Sequence, residues 1–317
     1  MANRQLSPKQ PLAEVFGFKI TDKSAEAKRS RKDRLCPFNN NTPICTKDKK
    51  ESPLGVCSLH TDNQDLPTVI CPVRFREKWK ICRDAAQYFF SKETLWTPLK
   101  EIRLKEKTGE SAGNIDLVLV AHDKAGKISD FGAVEVQAVY VSGNIRRPFE
   151  YFMAKPDERG EMDWSKEKNY PRPDYLSSSR KRLAPQLLYK GKILQAWKKK
   201  TAVVVDVRFF ETLPELTQTK PENSEICWLV YALKNSANTG GFEMKLDRKA
   251  YTGFESTMKQ IATPEIGELS DFVESLEEKL APALAMLRNE FGVHSFSELF
   301  LKSNLTAQSK QFLEKDF

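Results

Sequence analysis

The sequence lacks the long hydrophobic runs that would place it in a membrane. No apolar stretch approaches the roughly 20 residues that a membrane-spanning helix requires. The first ten residues, MANRQLSPKQ, are polar and contain no apolar core, so we expect no secretory signal and a cytoplasmic location. Internal repeats and long low-complexity tracts are also absent from the 317 residues. What remains is the composition of an ordinary globular protein that can bury a sizeable core.

Basic and acidic residues are distributed unevenly along the chain. The whole chain has 51 lysine and arginine residues against 43 aspartate and glutamate residues, a net charge of +8. Residues 251–317 carry a net charge of −5, so the first 250 residues carry +13. A positive excess of this size favours a polyanionic partner, above all nucleic acid.

Helical and strand-like patterns are mixed along the chain, which predicts an α/β or mixed α+β domain with a central mixed β-sheet flanked by helices. Helical spacing is present in residues 74–91, from residue 145 onward, and in residues 180–200, where Pro185 is expected to kink or start the helix. The predicted strands are residues 99–105, 115–121, 133–141, 201–210 and 226–233.

The composition divides the chain into four parts. We predict a basic N-terminal arm over residues 1–35, which ends in KRSRKDR, and a loop-rich cysteine module over residues 36–73. A core over residues 74–250 follows, and residues 251–317 form an acidic helical segment packed on that core, interrupted near Pro282.

Two polar side chains interrupt the apolar strand in FGAVEVQAVYVSGN, residues 131–144. Strand alternation places Glu135 and Gln137 on the same face, and a buried carboxylate needs a compensating partner. Asp116 begins the preceding apolar run, and its separation of 19 positions from Glu135 accommodates two adjacent strands and a turn. Because neighbouring strands lie about 4.8 Å apart, the two carboxylates could share a Mg²⁺ ion beside a phosphate.

This arrangement is typical of metal-dependent nucleases. Bound Mg²⁺ would lower the pKa of a water molecule and stabilise developing charge, while Gln137 could position that water. Glu101, on an earlier strand, is a candidate for a further acidic ligand. The alternative is purely structural: Asp116 caps a turn and Glu135 pairs with an arginine such as Arg103. The spacing alone leaves both interpretations open.

Four of the six cysteines fall within the cysteine module. Cys36, Cys45, Cys57 and Cys71 are separated by 8, 11 and 13 residues, and without a C-x₂-C pair they do not match a standard zinc finger. In a cytoplasmic protein they favour a structural metal site over disulfides, with reduced packing thiols as the alternative and His60 as a possible substitute ligand. Four thiolates suit zinc and iron equally.

The segments that carry a family resemblance are CPVRF, SAGNIDLVLV, DFGAVEVQAVYVSGN and RRPFEYF. Over about residues 36–152, the sequence resembles the NotI family of type II restriction endonucleases. The resemblance implies a nuclease core of the PD-(D/E)XK kind, with Asp116, Glu135 and Gln137 at the catalytic positions and Glu101 as a fourth. It also implies a homodimer that cuts a palindromic, GC-rich site with Mg²⁺, and an iron ion held by the four cysteines. The chain lacks the lysine of the superfamily motif, as the NotI branch also does.

The leading hypothesis is therefore a Mg²⁺-dependent type II restriction endonuclease whose functional partner is a cognate DNA methyltransferase. The candidate DNA-binding residues, chosen because arginine reads guanine in the major groove, are Arg146, Arg147, Arg180, Lys181 and Arg182. A second hypothesis is a repair or recombination nuclease that selects DNA structure. A third is a non-catalytic, metal-stabilised DNA-binding protein.

Overall fold

The computed structural model describes residues 8–39, 43–48, 51–61, 66–237 and 240–302. Its strands are β1 (Leu12–Val15), β2 (Phe18–Lys19), β3 (Val56–Leu59), β4 (Thr68–Val69), β5 (Trp96–Lys105), β6 (Ser111–His122), β7 (Ile128–Gln137), β8 (Tyr140–Ser142), β9 (Arg172–Asp174), β10 (Thr201–Asp206), β11 (Ile226–Asn235) and β12 (Phe242–Thr252). Its helices are α1 (Ala25–Asp33), α2 (Lys80–Phe89), α3 (Arg146–Ala154), α4 (residues 175–196), α5 (Val207–Glu211), α6 (Phe254–Ala262), α7 (Leu269–Phe291) and α8 (Phe296–Lys302). Shorter 3₁₀ segments cover Pro72–Trp79 and Pro221–Asn223.

Six strands form a central mixed sheet in the order β12-β11-β10-β7-β6-β5. Strand β10 runs parallel to both of its neighbours, and the other pairs are antiparallel. Every residue of β10 is buried, as are the first eight residues of β11, because apolar layers cover both faces of the sheet there. The predicted mixed sheet flanked by helices is confirmed.

Residues 8–35 differ from the basic arm that the sequence predicted. Strand β1 is fully buried and joins a four-stranded sheet in the order β2-β1-β3-β4, and helix α1 begins after Ser24, whose side chain accepts a hydrogen bond from the amide of Ala27. The guanidinium of Arg31 is buried and donates to the backbone oxygens of Lys19 and Asp22, so this basic residue stabilises the fold locally. Residues 1–7 lie outside the described part of the chain.

A buried ion-pair network joins the small sheet to the central sheet. Arg74 is fully buried; it donates to both carboxylate oxygens of Glu14 on β1, at 3.1–3.2 Å, and to Glu77 at 2.5 Å. Glu77 also accepts the amide of Met244 on β12 at 3.0 Å. These contacts tie strand β1 of the small sheet to the edge strand β12, and removing one partner would leave an uncompensated buried charge.

Helix α4 is wound unusually wide over two of its turns. The segments Ser178–Leu183 and Leu187–Gly191 are π-helical, and Pro185 lies in the short α-helical stretch between them. Wide turns accommodate the proline ring and its missing amide hydrogen, so the helix continues through the predicted kink site. Helix α7 likewise continues through Pro282.

The chain divides after Thr263 into two compact units. The second unit begins at Pro264; in its described part, helices α7 and α8 enclose a small core of Leu287, Val293 and Leu299. Residues 303–317 lie outside the described part. None of the described helices is long and apolar enough to cross a membrane.

Candidate active site

The carboxylates of Asp116 and Glu135 lie side by side on two neighbouring strands. The antiparallel register pairs Leu117 of β6 with Val134 of β7, so the next residues, Asp116 and Glu135, are opposite each other. Side chains at opposite positions of a strand pair point to the same face of the sheet. Oδ2 of Asp116 also accepts the amide of Val136 at 2.8 Å, which fixes this carboxylate against β7.

Glu135 is buried, with 3% of its surface exposed. Burial raises the pKa of Glu135 to about 7, against the opposing effect of Lys190 and with a further increase from Asp116. Its Oε2 accepts a hydrogen bond from Nζ of Lys190 at 2.5 Å, whereas its Oε1 is buried with no hydrogen-bond partner in the described part of the chain. A buried carboxylate oxygen without a partner is costly, and a cation would satisfy it.

Burial also raises the pKa of Asp116, and the nearby Glu101 adds to this increase. The amide of Val136, Lys190 and Arg76 act in the opposite direction. Two adjacent acids whose charged forms are both disfavoured form an electrostatic environment that attracts a divalent cation.

Gln137 shares the face of Glu135 and is buried, as the strand alternation predicted. Its Nε2 donates to the backbone oxygen of Ala138 at 2.6 Å, which leaves the amide oxygen as the group that could orient a water molecule. Strand β7 ends at Gln137, earlier than the predicted end at residue 141.

Glu101 lies opposite Asp116 on β5, between the ladder pairs of Lys100 with Leu117 and of Ile102 with Ile115. Its φ of 53° is left-handed and interrupts the ladder at this point. Glu101 is exposed, and no group of three or more acidic, cysteine or histidine side chains among the described residues is close enough to hold a metal ion. As placed, Glu101 is therefore a neighbour of the carboxylate pair and does not complete a three-ligand set.

Two basic residues near the carboxylates were missed by sequence analysis. Lys190 comes from α4, 55 positions after Glu135, and Arg76 comes from the 3₁₀ segment before α2. Lys190 sits in a helical pattern next to several other lysines, so periodicity could not distinguish it. The structural alternative, in which Glu135 pairs with Arg103, is wrong about the partner, because the ion pair is made by Lys190.

The four cysteines of the module line one small cavity together with mostly apolar residues and with Thr46 and Lys47. All four are buried free thiols, and burial raises the pKa of Cys36 to about 11 and also raises the pKa values of Cys45 and Cys57. Cys36 and Cys57 both lie near enough to Cys71 for their charges to interact. Four thiols are a donor set that suits a thiolate-binding metal. In the described part of the chain, however, no three of them lie close enough together to hold a metal ion. His60 lines a different groove.

The five basic residues that were candidates for DNA binding occupy two different environments. Arg146 pairs with Asp48 and contacts Ser52, and Arg147 pairs with Glu167 at 3.1 Å, so both are engaged with the protein itself. The other three, Arg180, Lys181 and Arg182, are exposed on α4, and Arg182 stacks over the ring of Tyr140.

The sequence of this chain matches a known protein family. The family model described as Restriction endonuclease NotI matches residues 14–244, which include both carboxylates and Lys190. No curated protein matches the chain. Because the family match covers more than half of the 317 residues, the resemblance seen in the sequence is confirmed: the chain belongs to the NotI restriction endonuclease family and is a type II site-specific deoxyribonuclease that acts on double-stranded DNA.

Proposed function

We propose that the enzyme cuts DNA with Mg²⁺ held by Asp116 and Glu135. The observation that carries this proposal is the pair of carboxylates on β6 and β7, one of which has a buried oxygen without a partner. The donor set fits Mg²⁺, which favours one or two carboxylates and completes its shell with water and phosphate oxygens. When bound, Mg²⁺ would supply a water of lowered pKa and neutralise charge on the phosphate.

The chain's own side chains then bind and orient the reactants. The amide oxygen of Gln137 would accept a hydrogen bond from the attacking water, and Arg76, close to Asp116, would neutralise a phosphate oxygen. In the hydrolysis, the water oxygen bonds to phosphorus, the bond from phosphorus to one sugar oxygen breaks, and that oxygen leaves with a proton. Glu101 lies near enough to Asp116 to raise its pKa, and we propose that it serves as a further carboxylate when the cation is bound.

A comparison of Glu135→Gln with the wild-type enzyme tests the Mg²⁺ site. The substitution removes the charge at nearly constant size, so we expect cleavage of a long DNA to fall by about 100-fold or more while DNA binding stays within a few-fold. Exposed Glu110 provides the matched control, and Glu110→Gln should cut like the wild type. Discrete fragments that form equally without a divalent cation, or a fully active Glu135→Gln, would contradict the proposal.

We also propose that the four cysteines hold one structural iron or zinc ion. The support for this proposal is the cavity that all four thiols line. The role of the ion would be structural and not catalytic, because four protein ligands would leave no coordination position for substrate. Elemental analysis of the purified protein should find about one iron or zinc per chain. Cys71→Ser should lower that content and the melting temperature together, whereas Cys227→Ser, a buried cysteine on β11, should leave the metal content unchanged.

Three further features of the proposed function come from the family. We propose that the enzyme acts as a homodimer, because the candidate active site contains one carboxylate pair and two strands must be cut. We propose a palindromic, GC-rich site, and a cognate methyltransferase that protects the host's copies of it. Sequencing the ends of fragments cut from phage DNA tests the site directly.

A further inference from the structure

The candidate active site contains a buried lysine that comes from a helix rather than from either carboxylate strand. Lys190 is 6% exposed, and its Nζ lies 2.5 Å from Oε2 of Glu135 and 2.9 Å from the backbone oxygen of Asn114. A buried ammonium group is costly unless it is paired and hydrogen-bonded. One contact is to β7 and the other to β6, so Lys190 joins the two strands that carry the carboxylates.

The winding of α4 explains how Lys190 reaches the sheet. It lies in the π-helical segment Leu187–Gly191, directly after the exposed side chains of Leu188 and Tyr189. A π-helical turn contains an extra residue and redirects the side chains that follow, which is why such turns are frequent at functional sites. The next residue, Gly191, packs so closely on α6 that a Cβ there would lie 2.5 Å from the ring of Phe254.

We propose that Lys190 is a positioning residue of this active site and acts through Glu135. By donating to Oε2, it holds the carboxylate in place and leaves Oε1 free for the cation. It also supplies from α4 the positive charge that Gln137, an amide, cannot supply from β7. This inference rests on the proposed Mg²⁺-dependent cleavage at Asp116 and Glu135.

Binding of the cation itself distinguishes a positioning role from simple charge compensation. Coulomb's law alone says that removing a positive charge beside two carboxylates should tighten the binding of a divalent cation. A positioning role says the opposite, because the carboxylate loses the contact that orients it. Groups that orient metal ligands typically contribute about 10- to 100-fold to affinity or activity.

The test compares Lys190→Met with Lys192→Met, a matched control on the same helix whose exposed side chain pairs with Glu255. Binding of Mn²⁺ to the full chain without DNA is measured by calorimetry at pH 8.5. We expect Lys190→Met to bind Mn²⁺ about tenfold more weakly and to cut DNA about 100-fold more slowly, with DNA affinity in the absence of divalent cation unchanged. Lys192→Met should match the wild type in all three measurements. Unchanged or tighter Mn²⁺ binding by Lys190→Met, or cutting at the wild-type rate, would overturn the inference.

The double variant Gln137→Lys with Lys190→Met moves the positive charge from α4 to β7. It keeps a lysine near Glu135, so the inference can still be tested if the single variant does not fold. We expect it to regain at least about tenfold of the lost cutting and most of the Mn²⁺ affinity. A folded double variant that recovers neither overturns the inference. The proposed function fails separately, if the wild type needs no divalent cation or Glu135→Gln cuts normally. Loss of cutting in Glu135→Gln with full activity in Lys190→Met would overturn only the role of Lys190.

Discussion

Individual buried acids with raised pKa values contribute to the pH dependence of stability in this protein. Asp206, at the end of β10, is fully buried, and burial raises its pKa to about 7 even though it accepts hydrogen bonds from the amides of Val69 and Arg208. Its folded-state pKa therefore lies above the value of an unfolded chain. Between about pH 4 and pH 7 the folded state binds the extra proton, so stability falls as pH rises through this window.

We predict that Asp206→Asn flattens this pH dependence while lowering stability overall, because an amide cannot accept both hydrogen bonds as a carboxyl group does. The measurement is the free energy of unfolding in urea at pH 4.5 and pH 7.5. Some dependence should remain, since burial also raises the pKa of Glu135 to about 7. Asp33→Asn, at an exposed position on α1, is the control and should retain the full slope. An identical slope in Asp206→Asn and the wild type would contradict the assignment.

The elements show where sequence patterns were sufficient and where they were not. Period-two alternation predicted the strands that carry Asp116 and Glu135 and the shared face of Glu135 and Gln137, because alternation is a local property of an extended chain. The region at 201–210 was predicted as one strand, but α5 begins at Val207 because Asp206 caps it through the amide of Arg208. Strand β12 was missed because mixed polar and apolar residues give weak alternation at this sheet edge, and the small sheet was missed because its strands have only two to four residues each.

The contact between Lys190 and Glu135 could not be predicted from local patterns. It depends on the π-helical winding of α4 and on the packing of that helix over the sheet, and neither is encoded in the spacing of neighbouring residues. The same is true of Arg74, whose partners Glu14 and Glu77 include a residue 60 positions away.

At the scale of the helix, Gly191 should be intolerant of a side chain. Gly191→Ala would place a Cβ 2.5 Å from the buried ring of Phe254, so we expect a loss of about 1–3 kcal/mol in the free energy of unfolding. Gly160→Ala is a suitable control, because its Cβ would lie 3.4 Å from the nearest atom. Thermal and urea melts of the two variants provide the comparison, and equal stability of both would contradict close packing of α4 on α6.

Arg180 and Lys181, exposed near the start of α4, should contribute to DNA binding through phosphates. In Arg180→Gln with Lys181→Gln, we expect the slope of log K against log salt concentration to become shallower by about 2, roughly one for each lost phosphate contact. Lys234→Gln, at a partly exposed position near the end of β11, should leave the slope unchanged. Binding titrations between low and moderate salt would measure this. Equal slopes in the double variant and the wild type would exclude a phosphate-binding role for Arg180 and Lys181.

The candidate active site contains one carboxylate pair, Asp116 with Glu135, whereas a duplex has two strands. If the enzyme assembles as the proposed homodimer, sedimentation equilibrium should give a mass of twice the 36.3 kDa of the chain. Mixed dimers of wild-type and Glu135→Gln chains should then nick a single strand of supercoiled DNA rather than linearise it. A monomer at the concentrations used for cutting, with full double-strand cleavage, would contradict this assembly.

The helical origin of Lys190 has a consequence for how such enzymes diverge. A charge that reaches the site from α4 does not depend on the residue two positions after Glu135, so β7 can exchange lysine for glutamine without emptying the site of positive charge. Chains that look unrelated by a contiguous motif can thus contain equivalent chemistry. The relationship between such nucleases is better judged from the side-chain contacts in their active sites than from a contiguous sequence motif on one strand.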